Sequence, residues 1–335
     1  MSRICTPEDN GSHSPPADDI NWQESFFLSW YDACSGSGGY HHVDFQPFRK
    51  RACVWSWIAA GRRVVSRFQS LNLPFPEGDL GDFEAGPIAV RTLKPLSDYA
   101  MRVRHERKDG PGFAEENIVF KAFTQPLYLS MDEAGRPTEG GGKVGVSDYH
   151  SGGTGHYENI GKVEGTITGF DGRRIDVCGF GMQDHSWGPR QYGALTAAHR
   201  FVHGAFGPDL FFSLYAMAKE DADFSYGYVH DNGSFHRVRD LQIDVVMDRD
   251  GHTPKRVEID MWSPTGRGYS FSGEGHVGSV STHDGGYFGT DVYGEFRFGA
   301  RRGTGLIGVR ERAGPSARHR AWLSAFDPGP STASR

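Results

Sequence analysis

The chain has 335 residues, a formal net charge of −6 at pH 7, 46 glycines and 13% aromatic residues. That length points to about two domains rather than one core. Basic residues cluster at Arg49-Lys50-Arg51 and Arg301-Arg302 but acids outnumber them overall, which argues against a nucleic-acid partner; no run reaches the roughly 18 apolar residues of a membrane-spanning segment.

Residues 1–20 are polar, rich in Ser, Pro and Asp, and read as disordered. They lack the apolar run of a secretory signal. Cys5, Cys34, Cys53 and Cys178 fit no Cys-x-x-Cys pattern. Both features predict a cytoplasmic protein with free thiols.

Residues 21–130 read as an N-terminal β-domain. Short strand-like runs cover Glu24 to Asp32, Tyr40 to Phe48, Ala52 to Ala60, Arg63 to Gln69, Phe83 to Leu93, Tyr99 to His105 and Asn117 to Leu127. Alternation is plain in Val54-Trp55-Ser56-Trp57-Ile58, and Gly or Pro closes most runs. Residues 131–155 are Gly-rich and read as a linker or a pocket-covering loop.

Residues 156–313 read as a second β-domain. It opens with a hairpin at Asp171-Gly172, followed by hairpins at Asn232-Gly233 and Asp250-Gly251. Further strands are expected at Phe201 to Phe206, Leu210 to Met217, Phe224 to His230, Leu241 to Met247, Val257 to Trp262, Tyr269 to His276, Val292 to Phe298 and Gly305 to Glu311. Residues 314–335 form a tail with a short helical piece near Arg320 to Phe326. The fold class predicted is all-β: two antiparallel barrels or sandwiches packed together.

One stretch stands out. Asp184-His185-Ser186-Trp187-Gly188-Pro189-Arg190 follows a strand-like run and concentrates an acid, an imidazole, a hydroxyl, an indole and a guanidinium. Polar groups beside Trp suit a strand end facing a cavity; a turn with Asp184 capping local amides is the plainer alternative. Alternation places Asp184 and Ser186 on one side and His185 and Trp187 on the other, so one cavity collects them all only if the strand breaks at Gly188-Pro189.

With His156-Tyr157-Glu158 upstream, and Trp22 to Asp32 and Tyr40 to Phe48 as first strands, this string resembles the hydroxyneurosporene synthase family of carotenoid hydratase-like proteins. The resemblance spans roughly Asn21 to Arg312, and the Asp-His-Ser-Trp string is its one specific motif. It implies two lipocalin-like β-domains, a deep apolar pocket and cofactor-free chemistry on isoprenoid or polyketide-like molecules. Family relatives hydrate, cyclise or isomerise, so the resemblance constrains the fold more than the reaction.

The expected partner is a hydrophobic small molecule; whether the chain forms a homodimer stays open. Hydration or dehydration of an alkene needs a proton donor, a wall that tolerates a cation and a positioned water. Asp184 is the expected acid, protonated at rest, with His185 to orient or relay and Tyr157 and Glu158 as further catalytic candidates. Glu158 either pairs with Arg190 or serves as a second carboxylate. Trp187, Arg190, His203, Tyr215, Tyr228 and Tyr293 are the candidate substrate-binding residues, each alternatively an ordinary core side chain. Glu295, next to Tyr293, is a weaker candidate. His42 and Asp44 share a strand face but carry no metal-motif spacing, and no nucleotide motif is present, so no cofactor and no metal are expected. A non-catalytic carrier and a pericyclic catalyst are the competing readings.

Overall fold

A computed structural model describes residues 5–13, 19–76, 82–128, 155–189, 198–218, 223–283 and 287–312. The expected all-β fold is what it shows. Its strands form two antiparallel sheets, and the helical content of the described residues is two short 3-10 turns, Pro7–Asn10 and Pro47–Arg49.

The first sheet contains β1 (Trp22–Asp32), β2 (Ser37–Gln46), β3 (Arg51–Ala60), β4 (Arg63–Pro74), β5 (Glu84–Ala85), β6 (Ile88–Lys94), β7 (Asp98–Glu106), β8 (Phe113–Ala122), β9 (Leu127–Tyr128), β10 (Gly155–Thr168) and β11 (Arg174–Pro189). Their order is β4-β3-β2-β1-β11-β10-β8-β7-β6-β5, with β9 also on β10. The sheet curls until β7 meets β4, where His105 Nδ1 lies 2.9 Å from Ser66 Oγ. Phe26, Leu28, Trp30, Val54, Met101 and Phe120 fill the interior.

The second sheet contains β12 (Ala198–Gly207), β13 (Leu210–Ala218), β14 (Asp223–Asp231), β15 (Ser234–Arg237), β16 (Asp240–Met247), β17 (Pro254–Trp262), β18 (Gly268–His283), β19 (Tyr287–Phe298) and β20 (Arg301–Arg312). Their order is β15-β14-β13-β12-β20-β19-β18-β17-β16, around a core that includes Val202, Phe212, Ile259 and Phe296. The turns follow local chemistry. Asn232 and Gly233 both take positive φ, as a two-residue hairpin with strand-matched twist requires.

Two expectations need correction. The sheets do not divide at 131–155. β10 and β11 belong to the first sheet, because β11 pairs with β1 along Trp22 to Tyr31 and β10 pairs with β8. The division falls between Pro189 and Ala198. Residues 5–13, expected to be disordered, are packed onto the first barrel. Asn10 Oδ1 accepts from Tyr99 OH at 2.7 Å and from Leu96 N at 2.9 Å, and Asp9 and Asn10 are buried. A polar segment can be fixed by hydrogen bonds to a barrel end without an apolar stripe of its own. The tail beyond Arg312 and most of the linker lie outside the described residues.

The sheets meet along a seam of large rings. Phe27, Tyr31, Tyr40, Trp55 and Trp57 of the first sheet pack against Phe201, Phe211, Tyr215, Tyr228 and Tyr293 of the second. Tyr31 and Tyr293 stack at 5.5 Å.

Candidate active site

β11 keeps its period of two through Trp187, so the motif is divided between two faces. Asp184 pairs with Phe27 and Glu158, and His185 pairs with Phe26 and Tyr157. Phe27 belongs to the seam and Phe26 to the first barrel's interior. Asp184 and Glu158 therefore face the seam, while His185, Trp187 and Tyr157 face the barrel. The expected single cavity for Asp184, His185 and Trp187 does not form, because the strand runs on to Pro189 rather than breaking earlier.

At the seam, donors converge on Glu158, which is 1% exposed. Tyr215 of the second sheet donates its hydroxyl to Glu158 Oε1 at 2.5 Å, and His156 Nε2 is 3.0 Å from the same oxygen. Tyr228 lies against the same carboxylate. Burial pushes both phenols well above their ordinary value, so they stay protonated. Tyr215 is sandwiched by Phe201 at 4.5 Å and Tyr226 at 4.4 Å.

Asp184 is half-buried although its cross-strand neighbours Phe27 and Glu158 are 4% and 1% exposed. Its charge reaches Tyr215 and Tyr40. Asp184 thus has partial access to solvent where Glu158 has almost none. Cross-strand pairing brings the two carboxyl groups onto one face with Cβ atoms about 5 Å apart.

The other seam candidates hold the sheets together. His203 Nε2 lies 2.7 Å from Ser29 Oγ, and burial lowers its pKa to about 3, which keeps it neutral. Tyr293 donates to Gly39 O at 2.5 Å. Arg310, missed in the sequence, donates to Tyr40 OH at 3.0 Å and to Asp291 Oδ2 at 3.1 Å. Asp291 was legible: it shares a strand face with Tyr293 by period two. Glu295 is 38% exposed beside His276 and is not in the seam. Arg190 and its expected pairing with Glu158 lie outside the described residues.

Inside the barrel end, His185 meets residues that the sequence did not single out. Glu24 Oε1 lies 2.8 Å from His185 Nε2 and 2.8 Å from His13 Nδ1, while the backbone N of His13 donates to Oε2 at 2.9 Å. Burial pushes the Glu24 carboxyl up, but its hydrogen bonds with His13 and His185 outweigh it and leave it below the ordinary value. His13 stacks on Trp187 at 3.7 Å, and Tyr157 stacks on His185 at 5.5 Å. Glu24 is the acid of an otherwise apolar-looking first strand, and His13 sits in the segment read as disordered, so neither carried a signal.

His42 and Asp44 do share a face, with Nε2 and Oδ1 3.0 Å apart. A groove of about 600 Å³ opens on β5–β8 and β10, lined by Arg91, Arg102, Asn117 and Glu164 among others. None of the candidate residues lines it, and its lip is a mixture of exposed charges of both signs. The convergent buried chemistry at the seam makes it a better candidate for a site than this groove.

A family model described as a domain of unknown function, DUF7064, matches residues 6–313. No curated protein sequence matches the chain. Similar solved structures include a protein assigned as AttH from Nitrosomonas europaea, at 12% identity and TM-score 0.61 over 92% of this chain and 97% of that one. Kievitone hydratase from Nectria haematococca is similar at 10% identity and TM-score 0.56, over 92% and 96%. CghA solved with Sch210972 is similar at 12% identity and TM-score 0.55, over 90% and 94%. At these identities the likeness shows a shared lipocalin-like fold.

Proposed function

The chain belongs to the DUF7064 family, and we propose that it is a cofactor-independent lyase or isomerase that transfers protons to a hydrophobic, alkene-containing small molecule at the seam. The observation that carries this reading is the hydrogen bond from Tyr215, on one sheet, to the buried Glu158, on the other. Two carboxylates in unlike surroundings are the usual means of separating an acid from a base. Glu158 acts from its protonated form, in which Oε1 still accepts from Tyr215, and delivers that proton to an alkene carbon. Asp184, reached by solvent, takes the proton of the water that adds to the cation. Phe201 and Tyr226, the outer rings of the stack on Tyr215, offer ring faces to that cation. Dehydration runs the same steps backwards. This assignment moves the acid from Asp184, where the sequence reading put it, to Glu158.

The similarity to a protein named kievitone hydratase favours water addition, and the resemblance to carotenoid hydratase-like proteins favours an isoprenoid substrate. His185 on β11 and Tyr157 on β10 lie on the other face of the sheet and stabilise it rather than act on the substrate. The second reading is a pericyclic reaction. The phenols of Tyr215 and Tyr228 stay protonated, and such donors polarise a carbonyl without giving up a proton.

The test is turnover of a panel of prenylated and polyene compounds by wild type, Glu158→Gln and Asp184→Asn, read by mass spectrometry for gain or loss of one water. Loss of turnover in both variants with retained binding supports the reading. Product of unchanged mass with no solvent deuterium favours the pericyclic one, and binding without any product leaves a carrier.

A further inference from the structure

We propose that His13, Glu24 and His185 bind one divalent transition-metal ion, with zinc the first candidate, at the end of the first barrel. The trio lies on the face of β11 opposite the seam, and the inference does not depend on the reaction proposed there.

The ligand geometry comes first. One atom from each residue lies within 4.8 Å of the other two, and Glu24 Oε1 is 2.8 Å from both imidazole nitrogens. Metal–nitrogen and metal–oxygen bonds of about 2.0–2.2 Å set ligand atoms roughly 3–3.5 Å apart. Glu24 Oε1 reaches that spacing from either imidazole by parting a few tenths of an ångström, and the two imidazole nitrogens lie within 4.8 Å of each other. Two imidazoles and a carboxylate are a donor set that suits zinc or iron(II).

Electrostatics points the same way. Glu24 is 2% exposed, and a carboxylate so buried needs a compensating cation. Its described side-chain partners are two imidazoles, neutral unless protonated. A divalent ion held by neutral imidazoles supplies the missing charge.

The surroundings are built to hold the ligands still. Asp9, itself buried, places Oδ1 3.9 Å from His13 Nε2, beyond hydrogen-bond distance but on the side from which an outer carboxylate orients a metal-bound imidazole. The other side of His13 is held by Trp187, 3.7 Å away with the rings 6° from parallel. Trp187 can lie there because position 155 is glycine: a Cβ on Gly155 would come 1.9 Å from the indole. An ion here joins the segment 5–13 to β1 and β11, three parts of the chain with no common sequence motif.

The experiment uses the full chain, stripped with a chelator and titrated with Zn²⁺ and separately with Co²⁺. The expected result is one equivalent bound, a raised thermal midpoint, and visible Co²⁺ absorption bands of low coordination number. Glu24→Gln and His13→Ala should abolish stoichiometric binding, and Asp9→Asn should weaken it about 10-fold. His13 lies outside every strand, so His13→Ala remains informative if Glu24→Gln misfolds. Failure of the wild type to bind either ion stoichiometrically would overturn the proposal. So would binding that survives in His13→Ala, or that is lost instead in His42→Ala.

Discussion

Asp184 and His185 are adjacent in sequence and serve different sites, Asp184 across from Glu158 on the seam and His185 across from Tyr157 inside the first barrel. Substitutions at the two positions should therefore separate. Asp184→Asn should cut turnover while stability changes by less than about 1 kcal/mol, as for an isosteric change at a half-buried site. His185→Ala removes a buried hydrogen-bond partner of Glu24 and should cost about 2–3 kcal/mol. Urea denaturation alongside turnover reads both. A stable His185→Ala variant with no activity would contradict the division.

Glycine at position 39 makes room for a buried polar chain. Glu116 accepts from Trp30 Nε1 at 2.8 Å and lies 3.1 Å from His41, which continues through Ser56 to His105 and Ser66. A Cβ at position 39 would come 2.4 Å from His41 Nε2 and 2.5 Å from Glu116 Oε2. Gly39→Ala should destabilise by about 1–3 kcal/mol through overpacking. An unchanged denaturation midpoint would show that this chain yields easily.

Acid should weaken the fold through its neutral histidines. Burial lowers His203 to about 3, and burial followed by the charge of His41 lowers His105 to about 3. A histidine depressed in the folded state binds its proton more readily when unfolded. Its contribution is whole above the unfolded value near 6.5 and is lost as pH falls from there toward 3. Stability measured from pH 7 to pH 4.5 should fall, and less steeply in His203→Gln. Parallel slopes for variant and wild type would remove His203 from the cause.

The Asp291–Arg310 pair should show strong coupling. Burial raises the Asp291 carboxyl, and the Arg310 guanidinium opposes that. Arg310→Met leaves the acid buried without its cation and should cost about 3–5 kcal/mol. Adding Asp291→Asn should recover much of that loss. Additive costs in the double-mutant cycle would mean that the pair is not coupled.

The fold was largely legible because strands and turns are local. The alternation in β3 and the Asn232-Gly233 turn are written in adjacent residues. Which sheet β11 joins was not, since its pairing with β1 spans most of the first half of the chain. The site was legible in part for the same reason. Glu158 and Tyr215 were both singled out, and period two already separated Asp184 from His185. Nothing local ties His13 to Glu24 and His185, or Arg310 to Tyr40, because those contacts exist only after the barrel has closed.

The most direct test of the seam as the reaction centre is the rate of deuterium transfer from heavy water into product, compared between wild type and Glu158→Gln on the same substrate. The account predicts deuterium on carbon with the wild type, and a rate at least about 100-fold lower in the variant with ligand affinity retained. Deuterium transfer by Glu158→Gln at the wild-type rate would contradict it.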